Sequence, residues 1–323
     1  MPRPLVVLAL SFLAFAGAAR AAGPSPGVVQ GSTGVTAAGS AFRFVTLTAR
    51  LTASGTTTLM AIDKATGGVT RWRTLPGEWG IPLVTFGGAV GGLSRDGRTL
   101  VVADWAPPPE GPLRPQSSFR VYDTKRLTQR EAFTLRGDFS FDALSPDART
   151  LYLIQHVSEQ DVFKYLVRAY DLRANRLLPK VVADKRQQGW IMRGMPVQRV
   201  VSADGRWVYT LYAQDGGTPF VHALDAATRT AVCIGVPWSG SQEPLWRAQL
   251  RLDGGKLTIA AGGRRIAIDT RTFAVSLPGR GGGGGVPTWL VGGLAAAGVT
   301  AVALAALALL RRGRRRPALG STA

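Results

Sequence analysis

An all-β repeat of about five units, carried on a single C-terminal membrane helix, is the architecture that the 323-residue sequence predicts. Three observations lead there. A hairpin pattern built on Asp-Gly or Asp-Ala returns along the chain, a strand ending in aspartate follows each copy, and apolar segments at the two ends carry the marks of export and anchoring.

The chain opens MPRPLVVLALSFLAFAGAARAAG. Arg3 precedes an apolar stretch from Leu5 to about Gly17, and Ala19-Arg20-Ala21 supplies small residues. That is the charge, core and cleavage-site order of a secretory signal peptide, over residues 1–22, with cleavage expected after Ala21 or Ala22. Residues 23–34 are expected to be a flexible lead-in.

The middle of the chain holds the repeat. Residues 93–103 (LSRDGRTLVVA), 144–154 (LSPDARTLYLI), 201–211 (VSADGRWVYTL) and 250–260 (LRLDGGKLTIA) share one pattern: an apolar residue, a tight turn at Asp96, Asp147, Asp204 or Asp253, a basic residue, then apolar and β-branched residues. Such turns join paired strands. Each is followed by a strand that ends in aspartate, at Asp123, Asp171, Asp225 and Asp269, whose side chain is expected to cap the next backbone amides. Asp63, in TLMAIDKATGG, ends an earlier copy whose first strand falls in GSAFRFVTLTA. The five aspartates are spaced 60, 48, 54 and 44 residues apart. Units of this size have room for about four short strands, as propeller blades do. Before the C-terminal span no long segment keeps a 3.6-residue apolar period, so a helical fold is excluded.

Residues 277–290 read LPGRGGGGGVPTWL. The glycine-rich linker at 279–287 is expected to be a short hinge, with a coil reach of roughly 15 to 20 Å. Leu277-Pro278 resembles the start of an LPxTG wall-sorting signal, but Arg280 stands where that signal needs threonine. Thr288 to Leu310 carries no charge and is long enough to cross a bilayer. Five arginines follow within residues 311–316. The positive-inside rule then places the tail, 311–323, in the cytoplasm and everything before the span outside, at the cell membrane.

The 39 Lys and Arg against 20 Asp and Glu give a net +19. Setting aside the signal, linker and tail leaves 31 basic against 20 acidic residues in the external part, an excess of +11. It favours anionic lipid surfaces, wall polymers or acidic partners. Nucleic acid is excluded by compartment and by the absence of a recognition motif.

The S-x-D-G-R hairpin followed by aliphatic-Tyr-Asp-x-x-T/N resembles the bacterial WD-repeat-like and YVTN-type β-propellers, across residues 35–278. The resemblance implies a ring of short four-stranded blades: five at about 50 residues each, or six if one is degenerate within 72–92 or 180–200. Some propellers of this kind are lactone hydrolases or quinone-dependent dehydrogenases, with acidic, His or Arg clusters over the central channel. Those clusters do not map onto this sequence.

Chemistry-bearing motifs are sparse. G-x-S-x-G and S-x-x-K are absent, GGAVGG at 87–92 lacks the lysine of a phosphate loop, and no D-x-D-x-D-G calcium loop occurs. Two histidines, His156 and His222, and one cysteine, Cys233, are too few for a His-rich or Cys-rich metal site. Cys233, in TAVCIGV, is expected to be a buried small hydrophobe and forms no intramolecular disulfide. No catalytic, cofactor or metal residue is therefore assigned.

Binding is the reading that remains. TRWRTLPGEWG (70–80) places Arg71, Trp72, Arg73 and Trp79 together, and the proline-rich stretch at 105–116 begins with Trp105. Aromatic and arginine side chains anchor interfaces. These five residues are the candidate binding surface for a protein, wall polymer or lipid surface outside the cytoplasm. An enzyme would gather ionisable groups at the channel instead. A sensor would need another membrane protein, because the tail has 13 residues and no domain.

Overall fold

The computed structural model describes residues 25–277, apart from 32–33, 50–54, 105–112, 187–188 and 190. The expected signal segment, linker, membrane span and basic tail lie outside the described residues, as do Trp105 and most of the proline-rich stretch. Among the described residues no helix is long and apolar enough to cross a membrane.

Five antiparallel sheets follow one another along the chain. After a short strand β1 (Val28–Val29), sheet 1 holds β2 (Phe42–Ala49), β3 (Thr56–Asp63) and β4 (Val69–Pro76). Sheet 2 holds β5 (Trp79–Pro82), β6 (Thr99–Asp104), β7 (Gln116–Asp123) and β8 (Thr128–Arg136), with β1 added along β5. Sheet 3 holds β9 (Asp138–Leu144), β10 (Thr150–His156), β11 (Lys164–Asp171) and β12 (Arg176–Val181), and a two-residue strand β13 (Met192–Arg193) also pairs with β11. Sheet 4 is β14 (Met195–Val201), β15 (Trp207–Ala213), β16 (Phe220–Asp225) and β17 (Thr230–Gly235). A 3₁₀ turn (Glu243–Arg247) leads to sheet 5: β18 (Gln249–Asp253), β19 (Lys256–Ala261), β20 (Arg264–Asp269) and β21 (Val275–Ser276). The all-β, blade-like repeat is thus present as five meandering sheets. Residues 72–92 and 180–200 are shared among these sheets, and the described residues contain no sixth.

The expected lead-in is in part ordered. Val28 and Val29 pair with Pro82 and Ile81, and Val35 bridges Phe44. Apolar side chains on both sides of the pairing explain why this segment stays with the sheet.

Both turn signals have a clear chemical basis. In three hairpins a serine hydroxyl donates to the aspartate, Ser94 to Asp96 at 2.6 Å, Ser145 to Asp147 at 2.6 Å and Ser202 to Asp204 at 2.5 Å. The same aspartates accept the backbone N–H groups of Arg98, Arg149 and Arg206. Each therefore pre-forms the turn in an Asx-type geometry. The fourth copy differs. It lacks the serine, and Gly254 and Gly255 both adopt positive φ (52° and 79°), making a two-residue hairpin in which Asp253 pairs with Lys256. All five strand-ending aspartates cap as expected, each accepting from the amides two and three residues ahead.

Strand alternation sends one face of each sheet to its neighbour. Phe44, Leu59 and Leu75 of sheet 1 meet Leu100, Val102 and Tyr122 of sheet 2. Val101, Phe119 and Val121 on the opposite face of sheet 2 meet Phe139, Leu151 and Leu153. Tyr152, Tyr165 and Val167 meet Val208, Tyr212 and Leu224, and Leu211, Val221 and Ala223 meet Leu257, Ile259 and Ile268. Four apolar cores thus join five sheets in series. Among the described residues none joins sheet 5 to sheet 1.

Candidate functional site

The outer face of sheet 1 follows from that arithmetic. Cross-strand register places Leu47 opposite Thr58, Met60 opposite both Val45 and Trp72, and Ile62 opposite Val69. These residues share the face turned away from sheet 2. Leu47 is 55% exposed, Val69 51% and Trp72 67%. A bulge between Ala61 and Ile62 keeps Val69 on that face despite its odd spacing from Trp72. Sheet 5 ends the series differently. Its free face carries Gln249, Arg251, Thr258, Ala260, Arg265 and Ala267, with no large apolar side chain.

The residues proposed from TRWRTLPGEWG therefore separate. Trp72 stands exposed on the free face. Arg71 and Arg73 point the other way, toward sheet 2, and the Arg71 guanidinium lies 4.4 Å from the centre of the Phe42 ring. Trp79 is not part of a surface: it is 7% exposed in the core between sheets 1 and 2, its indole N–H donates to the Pro76 carbonyl at 2.8 Å, and Arg120 covers its ring at 4.3 Å. The reason is its place on β5, which faces the sheet 2 core, after the chain has turned at Gly77 (φ 93°). Leu47 and Val69 were missed by sequence reading; the period-two register from Trp72 through β3 was the signal that could have found them.

The interior offers different chemistry. Between β5 and β6 the chain makes an excursion that reaches sheet 4: the N–H groups of Phe86 and Gly87 donate to the carbonyls of Pro196 and Val197 on β14, at 2.8 and 3.2 Å. Phe86 also meets the Trp246 ring at 6.0 Å. Arg95 donates to the Ala203 carbonyl at 2.8 Å. Sheets 2 and 4 are tied directly by this strap.

Beside it lie buried ion pairs. Arg114 binds Asp138 at 3.0 Å and Asp104 at 3.2 Å. Burial raises the Asp104 carboxyl above its ordinary value despite the nearby Arg114. Arg199 pairs with Asp142 and takes the Thr210 hydroxyl as acceptor at 2.8 Å. A cavity of about 20 Å³ is lined by Ser140, Asp142, His156, Tyr165 and Tyr212, among others. The His156 Nε2 and the Tyr165 hydroxyl are buried without a hydrogen-bond partner. Burial pushes the His156 imidazole down, against the pull of Asp138, and the Tyr165 phenol up. A carboxylate, arginine and histidine cluster does therefore exist inside. Its charges are spent on one another, and its cavity has the size of one ordered water, far below the few hundred cubic ångströms of a substrate pocket.

No protein-family model matches the sequence, and no curated protein matches it. Solved structures resemble it more distantly. The β-propeller domain of Cps50 (Swd1) from Myceliophteria thermophila is 16% identical over 77% of this chain and 66% of that one, with a TM-score of 0.38. TolB from Acinetobacter baumannii is 15% identical over 70% of this chain, with a TM-score of 0.36, and this chain spans 49% of its length. BamB from Moraxella catarrhalis is 13% identical over 72% and 66% of the two chains, with a TM-score of 0.39. At these values the likeness carries nothing about activity. Strand order and the repeat remain the basis for describing the sheets as propeller-like.

Proposed function

We propose that this protein is an interaction module of the cell envelope, a five-bladed propeller-like domain held outside the cytoplasm by residues 288–310. Sheet 1 presents its free face to an apolar site on a partner protein. One observation carries this reading: the two ends of the sheet series are unequal. A terminal repeat needs a polar outer face to stay soluble alone. Sheet 5 has one, whereas sheet 1 displays Val69 and Trp72 together on β4 and Leu47 across the same face on β2. An aromatic anchor flanked by aliphatic side chains is the composition of an interface centre. The basic excess of the external domain adds steering toward an acidic or anionic surface.

The test places a photo-crosslinking residue at Val69 in intact cells, with Arg251 on sheet 5 as the control position. A discrete adduct from Val69 that disappears in Trp72→Ala is expected. Equal adducts from both positions, or none from Val69, would remove the proposal. Topology is checked separately with a periplasmic reporter enzyme fused after Gly285 or after Ala323. Activity is expected only in the first fusion, and activity in the second alone would invert the proposed orientation.

A further inference from the structure

The only cysteine lies among other soft donors. Cys233 on β17 stands opposite His222 on β16 in cross-strand register, and their Sγ and Nδ1 atoms are 3.7 Å apart. Met192, on β13 at the edge of sheet 3, brings its Sδ to 3.6 Å from the same Sγ. The site thus straddles the packing between sheets 3 and 4. Among the described residues no group of three His, Cys, Asp or Glu side chains could hold a metal; here the third donor is a thioether.

From this geometry we infer that Cys233, Met192 and His222 form a binding site for a monovalent copper ion. Three ligands around one ion at metal–sulfur and metal–nitrogen lengths of about 2.3 and 2.0 Å leave sulfur and nitrogen about 3.7 Å apart, and two sulfurs about 4.0 Å. The Sγ–Nδ1 separation already matches, and the Sγ–Sδ separation needs to open by only a few tenths of an ångström to admit the ion. The donor set selects it: thiolate with thioether is soft, which suits Cu(I) and disfavours magnesium, calcium and manganese.

Two further features position the donors. His222 is buried, and its Nδ1 is the ring nitrogen that faces the Cys233 Sγ. Asp184, itself buried, accepts the Cys233 backbone N–H at 3.0 Å and is gripped by Arg186 at 2.7 Å. A fixed carboxylate thus anchors the β17 backbone at the donor cysteine. Binding exchanges the thiol proton for the ion: Cys–SH and Cu⁺ give Cys–S–Cu and H⁺, with no change of oxidation state.

The experiment titrates the full-length protein in detergent, without oxygen, against the coloured bicinchoninate complex of Cu(I), and reads the loss of colour. Uptake of one equivalent is expected. Cys233→Ser should abolish it, Met192→Leu should weaken it at least tenfold, and His156→Gln should leave it unchanged. Circular dichroism reports whether Cys233→Ser is folded, and Met192→Leu keeps both thiol and apolar volume should that variant fail. X-ray absorption of the loaded protein should show sulfur and nitrogen neighbours. No stoichiometric uptake, undiminished uptake by Cys233→Ser and Met192→Leu, or Zn(II) bound as tightly as Cu(I) would each overturn the assignment.

Discussion

Ala148 sits at φ 55° in the one Asp-Ala hairpin, where its counterparts are Gly97 at 69° and Gly205 at 73°. A side chain in the left-handed region costs about 1–2 kcal/mol, part of which is returned by the smaller unfolded-state freedom of alanine. Ala148→Gly should therefore raise the urea-unfolding free energy by about 0.5–1 kcal/mol, and an unchanged midpoint would show that the turn is unstrained. Leu127, at φ 52°, pays the same strain with a different return, because it is buried in the core between sheets 1 and 2. Leu127→Ala should cost about 2–4 kcal/mol. The two buried histidines set a pH dependence. Burial holds His222 at about 4 and His156 below its ordinary value, with Asp142, Asp184 and Arg199 acting on the first and Asp138 and Arg114 on the second. The unfolded chain binds these protons more readily, so the stability is complete above about pH 6.5 and is lost as pH falls toward 4. His222 alone accounts for about 3 kcal/mol of that loss. Urea melts of metal-free protein at pH 7.0 and 4.5 should differ by about 2 kcal/mol or more, and a flat profile would contradict the burial.

The hairpins are the elements that the sequence made most legible, because their chemistry is local. Ser94, Ser145 and Ser202 bond to an aspartate two residues away, and each strand-ending aspartate caps amides two and three residues ahead. A pattern that acts over five residues can be read from five residues. TRWRTLPGEWG shows the limit. Trp72 and Trp79 look equivalent in composition, yet one lies on a free face and the other in a core, and only the pairing of β4 with β3 and of β5 with β6 separates them. Which neighbour a sheet face meets is a long-range fact, absent from the residues that form the face. The same holds for Cys233 and Met192, which are 41 positions apart and meet only because β13 pairs with β11. The two tryptophans give a direct measurement. Trp79→Ala removes a buried indole and its hydrogen bond to Pro76 and should cost about 3–5 kcal/mol, whereas Trp72→Ala should change stability by less than about 0.5 kcal/mol. Equal losses would mean that the free face of sheet 1 is covered in the folded protein.

At the scale of the molecule, four apolar cores serve five sheets among the described residues, and this sets how stability is distributed. Each sheet in a series draws on its neighbours, so sheets 2, 3 and 4 are held on two faces, and sheets 1 and 5 share an apolar core on one. The strap from Phe86 and Gly87 to β14 adds a direct tie between sheets 2 and 4, which tightens the middle of the series further. A ring closed by a fifth core would protect all five sheets to a similar degree. An open series would not, since local openings begin where the fewest apolar contacts must break. Native-state hydrogen exchange should therefore find the amides of β3 and β19 opening at lower free energy than those of β10 and β15. Sheet 1 should then gain protection when its partner covers Leu47, Val69 and Trp72, while sheet 5 stays as it was. Protection equal in β3, β10 and β19 before any partner is added would mean that sheets 1 and 5 close on each other, and the apolar face would then belong to the ring and not to a partner.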